Sequence, residues 1–350
     1  MNRLELLDGL RAVAISLVII THYANLILPG GGIGVSVFFV LSGFLITTML
    51  LDSDITVKGF LIRRFFRIYP AYLTILIVQF LLSYYTDSKM FHLYTKSMLD
   101  LMLFIRMPSE WIGMGVGIFW TIQIEILFYI LIPFILRTGL VIKDGEFHVK
   151  SAIKIIYCLI FASYAIKGYV SFNLHFSNSF FALLFWMDGL LYGALVACLL
   201  TQRSYIKPAQ QHVVTQELDL RAKCILIGVA LVLLAIAIFV PSEGMIWPIQ
   251  SSIASAITAS LILAFRGGSQ LNFHLPKSVT YLATVSYSAY LCHSFPLDYV
   301  SLLPQWPRYG KGMLLISVII LATLLLHYLI EKPGIKLGKI AEKYIHRSVS

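Results

Sequence analysis

Beyond Asp8 at its start, the largely apolar stretch Leu7–Tyr23 is interrupted by Arg11 and His22. At ~100° per residue, the eleven-residue step between them makes about three turns plus 20°. Both therefore fall on one stripe of a helix, roughly 16 Å apart along its axis. Such side chains are costly inside hydrocarbon unless they face a partner or a cavity, so the stripe predicts a polar channel. Glu125 and His293 also sit in apolar runs. Counting ~1.5 Å per residue places them in one layer with His22, in the outer half of a membrane. Arg11, Arg63, Arg64, Arg67 and Glu331 form a second layer at the cytoplasmic face. A neutral histidine beside a carboxylate is a general base in a low-dielectric cavity. An arginine cluster suits a phosphate-bearing ligand. The pattern predicts a phosphorylated molecule arriving from the basic side, with base chemistry deeper in the bilayer.

The elements that must hold these residues are legible from composition. Of 350 residues, 59% are hydrophobic and only 13% charged, with a mean hydropathy of +0.84. Soluble domains carry about a quarter charged residues, so the chain reads as an all-α integral membrane protein with no sizeable soluble domain. Ten spans are predicted, near 10–28, 33–50, 68–86, 118–137, 154–172, 180–200, 224–240, 247–265, 279–297 and 313–330. With both termini cytoplasmic, most of the 27 Lys and Arg residues fall on the cytoplasmic side, as the positive-inside rule requires. That bias explains the net charge of +10 without nucleic acid. Lys167 counts among the few basic residues on the outer side, and Asp188 receives no role.

The outer segment 87–117, with Trp111 and three glycines, reads as an acceptor-facing surface, a re-entrant segment or an interfacial loop. Gly30–Gly32 reads as a tight outer turn, and lacks the GK[ST] of a phosphate loop. Asp8 caps the first helix or pairs with a nearby arginine. The first apolar segment is too long for a signal peptide and reads as a retained helix. The four cysteines are unclustered, which predicts neither a disulfide framework nor a metal site.

Six motifs stand in order along the chain: LDGLRA with the Arg11–His22 spacing, GVSVFFVLSGFLIT (Gly34 to Thr47), RRFFRIYPAY (Arg63 to Tyr72), FWTIQIEILFY (Phe119 to Tyr129), SYSAYLCH (Ser286 to His293) and the closing EKP (Glu331 to Pro333). Together they resemble the acyltransferase family 3 membrane proteins, which include O-antigen and other polysaccharide O-acetyltransferases. The resemblance covers residue 4 to about 335, and leaves 336–350 as a short basic cytoplasmic tail. It implies a bacterial inner-membrane enzyme with an acyl-CoA donor, usually acetyl-CoA. The acceptor would be a hydroxyl, often on a lipid-linked or surface glycan, with membrane lipids around the bundle. Some relatives add an extracytoplasmic hydrolase-like domain, which a chain ending soon after its last span is expected to lack.

The resemblance also implies roles. His22 deprotonates the acceptor hydroxyl or, in a variant mechanism, carries the acyl group itself. Arg11 positions the donor, and Arg64 and Arg67 hold its phosphates, with Arg63 a secondary candidate. Glu125 pairs with His22, binds the acceptor, or holds another helix in place. His293, with Tyr287 and Tyr290, binds substrate or forms a packing network, Trp120 is a further substrate-binding candidate, and Glu331 pairs with a cytoplasmic arginine or takes part in function. Relatives often carry an acidic or polar residue after Val35; here it is Ser36, and no role carries over to it. On physical grounds alone, a transporter using the same residues as a proton relay suits the pattern equally. A scaffold without chemistry leaves the Arg11/His22 stripe unexplained. Acceptor, acyl chain length and oligomeric state stay open.

Overall fold

Long apolar runs without β-branched alternation fold here as helices, in a computed structural model that describes residues 5–23, 30–51, 55–86, 88–104, 118–137, 142–143, 146–147, 149–173, 186–204, 224, 227–228, 231–232, 235, 246–266, 275–294 and 308–349. The helices are α1 (Glu5–Tyr23), α2 (Gly30–Leu50), α3 (Val57–Thr86), α4 (Ser88–Met102), α5 (Ile118–Arg137), α6 (Val149–Asn173), α7 (Asp188–Ser204), α8 (Ile246–Arg266), α9 (Lys277–Cys292), α10 (Arg308–Leu326) and α11 (Lys332–Val349). A π-helical turn, His327–Glu331, joins the last two. Ile142–Lys143 and Glu146–Phe147 form a two-residue antiparallel ladder, the one β element among the described residues. Among the described residues, five helices are long and apolar enough to cross a membrane, and the apolar parts of α7 and α8 are shorter. The expected span 224–240 lies mostly outside the described residues.

The chain divides into two compact units, residues 1–54 with 124–283 and residues 55–123 with 284–350. In the first, α2 is packed by α1, α7 and α8, and α6 covers α7. A helix apolar on all sides belongs in such a central place. Val37, Val40, Leu41 and Phe44 of α2 meet Leu7 and Ala14 of α1, Val196 and Ala197 of α7, and Ala259 and Ile262 of α8. Two glycines set the α2–α7 spacing. A methyl group on Gly43 would overlap the Leu190 carbonyl, and one on Gly193 would overlap the Val40 carbonyl. Gly193→Leu is expected to destabilise the protein by about 1–3 kcal/mol through overpacking, read as a lower melting midpoint in detergent. An unchanged midpoint would mean that the two backbones are free to separate.

In the second unit, α3 is flanked by α4 and α11. The Tyr72 hydroxyl donates to the Leu101 carbonyl at 2.9 Å and the Tyr94 hydroxyl to Gln79 Oε1 at 2.7 Å, tying α3 to α4. Tyr72 also packs edge-on against Phe119, with ring centroids 5.3 Å apart.

Several expectations change. Gly30–Gly32 is no turn, because α2 begins at Gly30; the first N–H groups of a helix lack intrahelical partners anyway, so the glycines lose little there. Half of the expected outer loop is helix α4, while Trp111 and its neighbouring glycines lie outside the described residues. The third helix starts at Val57 rather than near 68, so Arg63, Arg64 and Arg67 are helical. The basic tail is also helical, and packs on α3.

Candidate active site

The first unit holds Arg11, His22 and Glu125. On α1, Arg11 Nη1 lies 3.7 Å from Asp8 Oδ1 one turn below, so the expected pairing of Asp8 holds. His22, at the far end of the same helix, is exposed. Its Nδ1 lies 2.8 Å from the Val18 carbonyl oxygen. A carbonyl only accepts, so Nδ1 carries the proton, and in the neutral ring Nε2 is left as the basic nitrogen. This is the tautomer and polarity of a positioned general base.

Glu125, half-buried on α5, has other partners than the one first expected. Ser42 of α2 and Tyr129, one turn along α5, both donate their hydroxyl protons to Oε1. Among the described residues no ion pair joins Glu125 to His22. The carboxylate therefore fastens α5 to α2, the third of the roles open to it. Glu125→Ala would strand two hydroxyls and is expected to cost about 1–3 kcal/mol. Glu125→Gln, which keeps an acceptor oxygen, should cost less than half of that by thermal melting; equal losses would assign the carboxylate's charge a role of its own.

The same unit contains a cluster that sequence reasoning missed. Lys167 Nζ of α6 donates to Asp188 Oδ2 of α7 and to Ser252 Oγ of α8, both at 2.7 Å, and Ser252 also donates to Asp188 at 2.7 Å. All three residues are buried, Lys167 at 5% exposure and Asp188 at 2%. Trp186 and Tyr164 lie within 5.8 Å of the ammonium, and the Tyr164 hydroxyl meets that of Tyr192 at 2.8 Å. Lys167 is thus no outer-loop charge but the centre of a three-helix junction. Opposite charges in two neighbouring apolar runs were the available signal.

The second unit holds Arg63, Arg64, Arg67, Trp120, Tyr287 and His293. Arg63 Nη2 is taken by Glu342 of α11 at 2.5 Å. Arg64 lies over the Phe60 ring, 5.6 Å from its centroid. Arg67 makes no ion pair among the described residues. Arg63 is thus neutralised by Glu342. The Tyr287 hydroxyl donates to the Ile68 carbonyl at 2.9 Å, fixing α9 on α3 beside Arg67. Tyr290 shares a 2.9 Å hydrogen bond with Thr121, one residue from the half-buried Trp120. His293, just past the end of α9, is 1% exposed and donates from Nδ1 to the Tyr290 carbonyl at 2.6 Å.

Glu331 corrects another expectation. Among the described residues no arginine pairs with it; its Oε2 accepts from Ser288 Oγ at 2.6 Å and from His327 Nδ1 at 2.8 Å. All three are buried, and the π-turn that carries His327 and Glu331 is a geometry concentrated at functional positions. The four-residue step between them was a readable signal for the pair. Among the described residues no cluster of His, Cys, Asp or Glu could hold a metal ion.

Comparison with known proteins adds family evidence. A family model described as an acyltransferase domain matches residues 4–332. The peptidoglycan O-acetyltransferase OatA of Listeria monocytogenes is 44% identical over 82 residues, 22% of this chain and 13% of that protein. The "Putative O-acetyltransferase SACOL0978" of Staphylococcus aureus (strain COL) is 36% identical over 154 residues, 38% of this chain and 24% of that protein. The "Putative peptidoglycan O-acetyltransferase YrhL" of Bacillus subtilis is 30% identical over 170 residues, 43% of this chain and 26% of that protein. The chain thus spans about a quarter or less of each of these relatives. No solved structure matches it.

Proposed function

Since the chain belongs to the acyltransferase-3 family, we propose that it is a multi-pass O-acyltransferase of the bacterial plasma membrane. It spans ten times with both termini in the cytoplasm, and moves an acyl group, acetyl in the first instance, from acyl-CoA to a glycan hydroxyl. The observation that carries this reading is the tautomer of His22, whose Nδ1–H is spent on Val18 so that Nε2 is the base. Nε2 takes the proton of the acceptor hydroxyl as its oxygen attacks the thioester carbonyl; the C–S bond breaks, and the CoA thiolate leaves and is protonated. Arg64 and Arg67 hold the donor's phosphates, and Arg11 orients it.

Arg63 is a weaker phosphate ligand than Arg67, because Glu342 already neutralises it. His293, Tyr287 and Trp120 remain on the acceptor side. Names borne by two of the relatives move the acceptor away from O-antigen and toward peptidoglycan or its lipid-linked precursor.

Binding of radiolabelled acetyl-CoA to the purified protein tests the donor half of this reading. Arg64→Ala and Arg67→Ala are each expected to weaken binding about tenfold, as loss of one charge-assisted phosphate contact does. Arg63→Ala should weaken it less. Absence of saturable binding to the wild-type protein would remove the donor from the account.

A further inference from the structure

The C-terminal helix α11 presents three faces. One is docked on α3: Gly334 and Gly338 lie against Phe66, with no room for a side chain at Gly334, and Glu342 holds Arg63. This seam fixes the rotation of the helix. At ~100° per residue, Lys332, Lys336, Lys339 and Lys343 fall within a stripe about 60° wide, and all four are exposed. Centred roughly 100° further round is an exposed apolar ridge of Leu337 at 54%, Ile340 at 50% and Tyr344 at 69%. Glu342 is the one acidic residue of α11 and is spent on Arg63, so no carboxylate of the helix offsets the lysines.

If α10 spans, α11 begins where the apolar length needed to cross a bilayer is used up. The helical stretch containing α10 and its apolar window extends from Gly312 to Ile345. About 20 residues suffice to cross the hydrocarbon, and the stretch from Gly312 to Glu331 already supplies them. The last five residues of that stretch are the π-turn, and Pro333 comes two residues after it; π-bulges and prolines are features at which helices change direction. Pro70 of α3 stands at the same level, with its Cγ 3.7 Å from where a Gly334 Cβ would be. Lys332 Nζ, 5.3 Å from the centroid of the exposed Tyr328 ring, marks the boundary.

We propose that α11 is an interfacial helix whose lysine stripe and apolar ridge bind the anionic phospholipids of the leaflet where the α10 span ends. A cationic stripe flanking an apolar one is the pattern by which helices settle in the headgroup region. The ridge sinks among the upper acyl chains, while the lysine stems run along it and deliver their ammonium groups to lipid phosphates. The inference needs α10 to span and is independent of the acyl-transfer reading.

The test uses the full chain carrying Ile340→Cys and an environment-sensitive fluorophore, with the exposed Cys158 and Cys224 replaced by serine. The labelled protein is placed in nanodiscs of phosphatidylcholine alone or with phosphatidylglycerol, and a water-soluble quencher is titrated. Quenching is expected to be about threefold weaker in the anionic discs. High salt, or Lys336→Gln with Lys339→Gln and Lys343→Gln, should abolish the difference. Equal quenching in the two lipids would overturn the proposal. So would protection that appears in phosphatidylcholine discs on adding soluble acyl-CoA, which would give the lysines to the donor instead. Both lipid arms use one folded protein, so a misfolded variant cannot imitate either result.

Discussion

Replacing His22 with alanine is expected to lower acyl transfer by about 10²–10⁴-fold, the range lost with a general base, at unchanged protein level. Little stability should be lost with it. The side chain is exposed at the end of α1, and its hydrogen bond to Val18 lies within its own helix. Donor binding should also persist, because the phosphate ligands proposed for it are on α3. Acetyl-CoA affinity and turnover are therefore to be measured on the same preparation. A fall in turnover with constant affinity is the signature of a group acting in the chemical step. Turnover within about threefold of wild type would remove His22 from the mechanism.

The largest structural effect is expected at Lys167. Lys167→Ala would leave Asp188 buried at 2% exposure without its counter-charge, and breaking such a pair costs about 3–5 kcal/mol. Asp188→Ala would strand the ammonium with a similar loss. Removing both charges with Lys167→Met and Asp188→Leu is expected to recover most of the stability, since apolar replacements relieve the desolvation of both ions. Melting midpoints of the wild type, Lys167→Met, Asp188→Leu and the protein carrying both, in one detergent, check this as a double-mutant cycle. If the double variant were no more stable than either single one, the pair would be holding α6, α7 and α8 together by geometry that apolar packing cannot replace.

The Arg11–His22 stripe was readable because it depends only on helical periodicity, and α1 is a helix over both residues. The ordering of the α3 arginines was not readable, since it comes from Glu342, more than two hundred residues away. Lys167 was misplaced for a related reason. Topology counts charges by segment, whereas burial of Lys167 depends on three helices meeting, which no single run encodes. The glycine triplet misled because glycine signals a turn and an open helix start equally well. Glu125 was singled out as a carboxylate in an apolar run, and Glu331 as one at the cytoplasmic end of the last span. Their partners, Ser42 and Ser288, look like ordinary small residues until the helices are packed.

The central claim is that this chain consumes an acyl thioester and leaves an ester on a glycan. The purified wild-type protein in detergent is given acetyl-CoA labelled on its acetyl group, together with extracted peptidoglycan fragments and lipid-linked precursors. Free thiol and alkali-labile label on the glycan are followed in one reaction. The account predicts that both appear, in equal amounts, only when donor and acceptor are present together. Label movement without thiol release, or neither product with any acceptor, would contradict it and favour a transporter that uses the same intramembrane residues as a proton relay.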